Sequence, residues 1–434
     1  MPSRSAFLDI RPLTSHPAFA RLWIGTTLSG LGGQVTVVAV MLHVFALTGS
    51  TFAVAMIAVT GLLPMVVAGL YGGMLADAFD RRLVALLAAA VTFASTVALA
   101  VLAWASAESV WSLYVLSIVI SAANSIVQAT RAAIVPRLLP REMLPAAAAL
   151  QGMEMGLMVM VGPALAGVLV ATVGYGWTYT VDVLLMTSLF LGLWTLPRIR
   201  PEGTIVRPGL ESLRDGVAFL RRAANIRLQY ILDIVAMTFG QPLALFPAIG
   251  AVLLGGGAIT TGALTAAFAI GAVLASLFSG PVGRFRRHGI GIERAVLVYG
   301  AAIAAFGLVL GAAALGWFAP PGTVSEANPN LVLIAVAVVV LAVAGGADNV
   351  SAIYRGTMMQ AAVPDAIRGR LQGIFIVVVT GGPRIGALYA GALATFTALW
   401  FPPLLGGLLI LAIVTTLVRL SPGFRSYDAN QPVA

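Results

Sequence analysis

The hydrophobic residues of this chain fall into long runs, each separated from the next by a short polar segment. A helix needs about 20 apolar residues to cross a bilayer, and twelve runs are long enough. They lie near residues 22–47, 52–76, 83–104, 111–135, 145–171, 177–196, 227–253, 260–282, 292–316, 331–354, 370–394 and 401–419. The pattern predicts an all-α integral membrane protein with twelve transmembrane helices. The first run is too long for a signal-peptide core, so it counts as a span.

The segments between the runs alternate in charge. Those after odd-numbered runs contain no arginine, whereas those after even-numbered runs carry arginine clusters such as Arg81–Arg82 and Arg284–Arg287. Arginine-rich loops stay in the cytoplasm. We therefore expect both termini on the cytoplasmic side of a bacterial inner membrane.

Two stretches of the chain, residues 131–167 and 355–391, resemble each other. Each opens with an arginine nine residues before a proline, continues through Gln-Gly and Gly-Pro, and closes with Ala-Gly. Such duplication is typical of transporters built from repeats. It predicts two pseudo-symmetric six-helix bundles, residues 1–196 and 227–434 with a cytoplasmic tail.

The segment 197–226 is the predicted linker between these halves. Leu210, Leu213, Val217 and Leu220 recur at helical spacing, with arginines on the other faces. This pattern favours a short helix lying on the inner membrane surface, although a solvated linker helix fits it as well.

Composition excludes several function classes. Only 9% of the 434 residues are charged, there is no cysteine, and all 25 basic residues are arginine. Disulfides, thiolate metal sites, phosphate-binding lysine loops and Schiff-base chemistry are therefore ruled out. The three histidines lie on unconnected segments, and the charge of +9 is concentrated in loops. We expect no enzyme, no cofactor or metal, and no nucleic-acid partner.

Charged residues inside the predicted spans are the main candidates for function, because each costs at least about 2.5–3.5 kcal/mol at mid-bilayer. Glu154 and Arg384 lie near the midplane, Asp233 and Asp348 about two turns from an inner end, and Asp182 near an outer end. We hypothesise that Asp348 or Asp233 neutralises Arg384, which leaves Glu154 to carry a proton. The alternative is that all five form structural pairs.

Polar amides and methionines could line a substrate cavity between the halves. Gln34 is the amide nearest the middle of its span, and the other candidates are Gln128, Gln241, Asn349, Met153, Met155, Met158 and Met237. Such amides more often hold helices together in lipid, and methionine is also ordinary core filler.

Small residues and prolines mark two spans at matching places. Glycines four residues apart permit close helix contact, and a proline interrupts the backbone hydrogen bonds. The residues predicted to pack or bend these helices are Gly152, Gly156, Gly162, Pro163, Gly167, Gly382, Pro383 and Gly386.

The loop after the second span reads Gly73-Met-Leu-Ala-Asp77-Ala-Phe-Asp80-Arg81-Arg82. It resembles the G-x-x-x-D-R-x-G-R-R pattern of the major facilitator superfamily, in the form found in the branch of the enterobactin exporter and drug:proton antiporters. The resemblance implies a conformational latch formed by Gly73, Asp77, Arg81, Arg82 and Arg131, with Asp77 paired to Arg131.

A second resemblance lies in the fifth span. Gly162-Pro163-Ala-Leu-Ala-Gly167 is similar to the G-P-x-x-G-G antiporter pattern of the same superfamily, although Met158 replaces an expected glycine. The resemblance implies alternating access and export driven by proton entry, without nucleotide.

We interpret the chain as a monomeric secondary transporter, with a small-molecule substrate, protons and the lipid bilayer as its partners. The predicted activity is proton-coupled export of a siderophore or an amphipathic compound. The same fold also suits an importer or facilitator of a small metabolite, because fold does not determine direction. A non-transporting scaffold is a third possibility.

Overall fold

A computed structural model describes residues 9–199, 218–279, 285–320, 323–363 and 365–429, and the regular elements in these ranges are helices. They are α1 (Arg11–Ser15), α2 (Pro17–Thr48), α3 (Thr51–Thr60), α4 (Leu62–Ala78), α5 (Arg81–Trp104), α6 (Val110–Leu138), α7 (Leu144–Trp194), α8 (Ala224–Phe239), α9 (Gly257–Leu277), α10 (His288–Ala314), α11 (Leu331–Ala362), α12 (Asp365–Phe396), α13 (Phe401–Arg419) and α14 (Pro422–Arg425). Short 3₁₀, α and π turns continue α8 to Leu253.

Ten helices in the described ranges are long and apolar enough to cross a membrane. One of them, α7, has 51 residues and contains a single non-helical residue, Gly174, with a φ of 77°. At 1.5 Å per residue a straight helix of that length is far longer than a bilayer is thick. The break at Gly174 therefore separates two spans, between the two predicted runs. The protein is an all-α integral membrane protein, in which α12 is a further long helix, and the number of twelve spans stays a prediction.

The described helices group into two compact units. One contains Met1–Thr48 and Thr60–Arg207, and the other contains Gly49–Val59 and Pro208–Ala434. The second predicted span is divided between them: α3 up to Val59 belongs to the second unit, and α4 belongs to the first. Most of the predicted linker helix, residues 200–217, lies outside the described residues.

In the first unit, α2 packs along both parts of α7. Lipid tails are as apolar as the side chains, so close backbone contact replaces the hydrophobic effect as the packing force. A Cβ at Gly25 would lie 2.6 Å from the Ser188 carbonyl oxygen, and one at Gly192 would lie 2.8 Å from the Arg21 carbonyl oxygen. These glycines allow α2 and α7 to touch through their backbones.

In the second unit, glycines allow close backbone contact between two other pairs of helices. A Cβ at Gly345 of α11 would lie 2.0 Å from the Phe268 carbonyl oxygen of α9, and one at Gly307 of α10 would lie 2.4 Å from the Leu404 nitrogen of α13. The Tyr299 hydroxyl also donates to the Gly240 carbonyl oxygen at 2.6 Å. This bond satisfies a backbone acceptor where α8 ends.

The C-terminal tail folds back onto the start of α10. Phe424 of α14 is buried, and the Ala429 N–H donates to the Arg286 carbonyl oxygen at 3.0 Å. Arg425 forms a bidentate ion pair with Glu293, whose side chain is only 5% exposed. This hydrogen-bonded carboxylate raises the pKa of Arg425 above its ordinary value. The tail thus neutralises a buried acid at the end of a membrane helix.

We expect Arg425→Gln to release the tail, because buried Glu293 loses its cation. Hydrogen exchange of residues 422–429 should become faster than in the wild type. Arg419→Gln, which removes an exposed arginine from the end of α13, is the matched control. Equal exchange in the two variants would contradict the role of the ion pair.

Candidate functional site

A buried ion pair lies between α6 and α7 in the first unit. Arg131 donates from Nη1 to Glu154 Oε1 at 2.6 Å and from Nη2 to Oε2, so the pair is bidentate. The side chains are 10% and 2% exposed. Each charge is matched by one opposite charge, which is the condition under which a buried ion pair is tolerated.

A cluster of three charged residues occupies the corresponding place in the second unit. Arg355 of α11, the repeat equivalent of Arg131, lies with Nη1 at 2.7 Å from Asp233 Oδ1 and with Nη2 at 3.6 Å from Asp348 Oδ1. Asp233, on α8, is 1% exposed, whereas Asp348 is 35% exposed. Two carboxylates therefore share one guanidinium.

A cavity of about 200 Å³ adjoins this cluster. Its lining includes Gln229, Tyr230, Asp233, Arg355 and Gln360. Several polar atoms around the cavity are buried without a hydrogen-bond partner in the described part of the chain, if the Arg355–Asp233 ion pair is set aside. They are Gln229 Oε1, both Asp233 carboxylate oxygens and Arg355 Nε. Buried polar atoms of this kind usually bind water or a ligand. The cluster thus has one more acid than base, and it borders a cavity into which buried polar atoms without partners face.

Arg384 was expected to be neutralised by Asp348 or Asp233. Asp233 and Asp348 pair with Arg355, and Arg384 donates instead from Nη1 to the Ala58 carbonyl oxygen of α3 at 3.0 Å. Ala58 lies in the last turn of α3. A guanidinium can donate to a backbone carbonyl oxygen as well as to a carboxylate, and this option was not visible in the spacing of the charges.

The loop predicted to form a latch binds the ends of helices in its own unit. Arg81 donates to the carbonyl oxygens of Ala76 and Ala133, and Arg82 donates to that of Trp194 at 2.6 Å. Cations at the C-terminal ends of helices compensate the carbonyl groups there. Arg131 pairs with Glu154, and the predicted pairing of Arg131 with Asp77 stays a prediction, because the Asp77 side chain lies outside the described residues.

Not all of the predicted packing glycines lie against a neighbouring helix. A Cβ at Gly382 would lie 2.8 Å from Met237 Cβ, one at Gly386 would lie 2.4 Å from the Met237 carbonyl oxygen, and one at Gly162 would lie 2.5 Å from Gln34 Cβ. A Cβ at Gly152 would have no atom within 4 Å, and the same holds for Gly73 of the predicted latch. Gly152 therefore forms no close helix contact, because it is on the exposed side of α7.

The structure places the remaining predicted helix-packing and cavity residues as follows. Pro163 and Pro383 lie within α7 and α12 without ending either helix, and Gly167 is buried. Gly156 and Gln34 are half-buried. Among the methionines, Met158 and Met237 are buried, whereas Met153 and Met155 are 43% and 59% exposed.

A second polar group lies toward the other end of the first unit, and sequence reasoning missed most of it. The His43 ring lies 3.1 Å from Glu108 Oε1 and 3.2 Å from the Tyr179 hydroxyl, and it stacks on Tyr175. The four residues come from α2, α7 and the loop between α5 and α6. No spacing in the sequence brings these segments together.

Asp182 lies one turn further along α7. Its Oδ2 accepts from the Thr36 hydroxyl at 2.5 Å, while Oδ1 has no hydrogen-bond partner in the described ranges. A Cβ at Gly32 would lie 2.2 Å from Oδ1. The absent side chain of Gly32 therefore provides the space that this carboxyl group occupies.

Comparison with known proteins shows similarity over nearly the whole chain. Residues 9–432 match the model of a family described as transmembrane secretion effector. The enterobactin exporters of Shigella boydii serotype 18 and Escherichia coli O139:H28 are each 28% identical to the chain, over 96% of its length and 97% of theirs.

Solved structures give the same fold. A POT family transporter, solved in complex with a thioalcohol-conjugated peptide, has a TM-score of 0.71 at 12% identity, and the match covers 93% of this chain and 96% of that one. The xylose transporter XylE from E. coli has a TM-score of 0.63 at 16% identity, with the same coverage. These two likenesses concern the fold alone.

We expect Arg131→Gln to destabilise the protein, because removal of one partner leaves the other buried charge uncompensated, at a cost of about 3–5 kcal/mol. The double variant Arg131→Gln/Glu154→Gln should be more stable than the single variant, since it removes both charges. Thermal unfolding of the purified proteins in detergent measures both. A double variant no more stable than the single one would contradict the coupling of these side chains.

Proposed function

The chain belongs to the transmembrane secretion effector family of the major facilitator superfamily, and on this basis we propose that it exports a small molecule in exchange for protons. It is a multi-pass membrane transporter and not an enzyme. The proposed mechanism is alternating access across a bacterial cytoplasmic membrane, with both termini in the cytoplasm.

The charge balance of the Asp233–Arg355–Asp348 cluster is the observation that carries the proton coupling. Two carboxylates and one guanidinium leave a net charge of −1 when both acids are ionised. An uncompensated charge in a membrane interior is expensive, and one bound proton removes it. A cluster of this composition can therefore take up and release one proton per cycle.

Within the cluster, the two acids suit different roles. Asp233 is fully buried and lies 2.7 Å from Arg355, so it holds the guanidinium in place. Asp348 is more distant from Arg355 and about one third exposed. We assign the exchanging proton to Asp348, because it is the less buried of the two acids and lies farther from Arg355.

The Arg131–Glu154 pair supports a different role from the one hypothesised for Glu154. Among the described side chains its charges balance without a proton, and both carboxylate oxygens accept from the same guanidinium. A proton added to Glu154 would leave Arg131 buried with an unpaired charge. We therefore propose that Glu154 is a structural partner and that the second unit carries the coupling proton.

The relatives support a siderophore as the first substrate to test. Proteins named as enterobactin exporters align with the chain from end to end. We propose a siderophore as substrate, with enterobactin as the compound to test, and the outward direction of transport. An amphipathic drug-like compound is the alternative substrate.

A strain of E. coli lacking its own enterobactin exporter tests both the substrate and the direction. Expression of this chain should raise extracellular enterobactin and lower the intracellular amount under iron limitation. Higher intracellular enterobactin would instead indicate import. No change in either pool, with the protein present in the membrane, would exclude enterobactin as substrate.

We expect Asp348→Asn to abolish the effect of an inward proton gradient on export, because the amide balances the cluster permanently. Proteoliposomes that contain a pH-sensitive dye and purified protein, supplied with enterobactin, measure the proton flux. Glu142→Gln, which removes an exposed carboxylate from the short loop before α7, should leave the flux unchanged.

The same assay separates the two candidate proton sites. Normal coupling in Asp348→Asn, together with its loss in the charge-balanced double variant Arg131→Gln/Glu154→Gln, would move the proton site to Glu154. Loss of coupling in Asp348→Asn alone supports the second unit.

A further inference from the structure

An apolar groove of about 460 Å³ runs between α9, α10 and α11 in the second unit. Small side chains form its floor, among them Ala275, Ala295, Gly346 and Ala347. Val298 and Val343 border it and are 47% and 49% exposed. The groove lies in a hydrophobic helix surface. It forms because small residues along its floor are flanked by larger side chains.

The length of the groove matches one leaflet of a bilayer. It extends along α11 from Val343 to Tyr354, which is about 16 Å at 1.5 Å per residue. Half of the hydrocarbon core of a bilayer is about 15 Å thick. Tyr354 lies toward the C-terminal end of α11, and Phe285 precedes α10, so the groove starts at the arginine-rich face of the unit.

A cationic side chain lies at that end of the groove. Arg294 is exposed and lines the groove, and it has no ion pair or hydrogen bond with another residue in the described ranges. Glu293, beside it in sequence, is already paired with Arg425. Arg286 and Arg287, just before α10, are exposed as well. The charge of Arg294 is thus available to an anion from outside the chain.

We propose that this groove binds an anionic phospholipid, with one acyl chain along α11 and the phosphate at Arg294. An apolar furrow of leaflet length fits the chain, and an unpaired guanidinium at the membrane surface fits a negatively charged headgroup. Tyr354 and Phe285 lie at the depth where aromatic side chains meet headgroups. A transmembrane helix of another protein could also fill the groove, but without an acidic residue it would leave Arg294 with no counter-ion.

Native mass spectrometry of the purified full-length protein tests this site. The protein is titrated with phosphatidylglycerol or with phosphatidylcholine of the same acyl chains. The wild type should retain phosphatidylglycerol preferentially. Arg294→Gln should weaken this binding about five-fold, the effect expected of one basic residue near an anionic surface. Arg419→Gln, which removes an exposed arginine outside the groove, should not.

A second pair of variants tests the apolar part of the groove. Val298→Trp fills the groove and should reduce the number of retained lipids by one. Val339→Trp changes an exposed valine of α11 outside the groove lining and should have no such effect. Because both sites are exposed, both variants should fold, and their thermal unfolding is the check.

Three results would overturn the proposal. The first is equal retention of the two lipids by the wild type. The second is equal weakening by Arg294→Gln and Arg419→Gln. The third is a protein dimer that binds no lipid at this site and is disrupted by Val298→Trp, which would assign the groove to a second copy of the chain.

Discussion

The need to neutralise a buried arginine shapes the interior of each unit. Arg131 and Arg355 occupy equivalent places in the two repeats, and a guanidinium cannot lose its proton to escape burial. Each unit must therefore supply a carboxylate. The first supplies Glu154 from α7, while the second supplies Asp233 from α8 and Asp348 from α11 itself. Among the described side chains, the shared constraint thus has two solutions, and the second leaves an extra acid.

Much of the fold could be predicted from the sequence, because the bilayer limits it so strongly. A membrane span must satisfy its backbone internally and must be apolar for about 20 residues. The break at Gly174 in α7 falls within the predicted gap between two spans, and every long helix in the described ranges follows a predicted run. The division of the second span at Gly61 was not predicted, since glycine is common in membrane helices.

The pairing of charges was harder to predict than their burial. Arg131 and Glu154 lie at similar distances from the loop that joins α6 and α7. When these helices pack as an antiparallel hairpin, the two residues come to lie side by side. Asp348 and Arg355 are seven residues apart on one helix and therefore share a face. These two relations could have been inferred from spacing. The approach of Asp233 and the bond from Arg384 to Ala58 depend on tertiary packing, which no local pattern contains.

An excess acid beside a shared guanidinium also explains how a proton could bias a transporter between two conformations. A ligand shifts an equilibrium only by the difference in its affinity for the two states. In a state where water reaches Asp348, solvent stabilises the ionised cluster; in a state that excludes water, the same net charge is costly and protonation is favoured. The proton then binds more tightly to the occluded cluster, so its entry and release are linked to the conformational cycle. In the proposed mechanism, a balanced pair such as Arg131–Glu154 gains nothing from a proton in either state, and this is why we assign the coupling to the cluster with the extra acid.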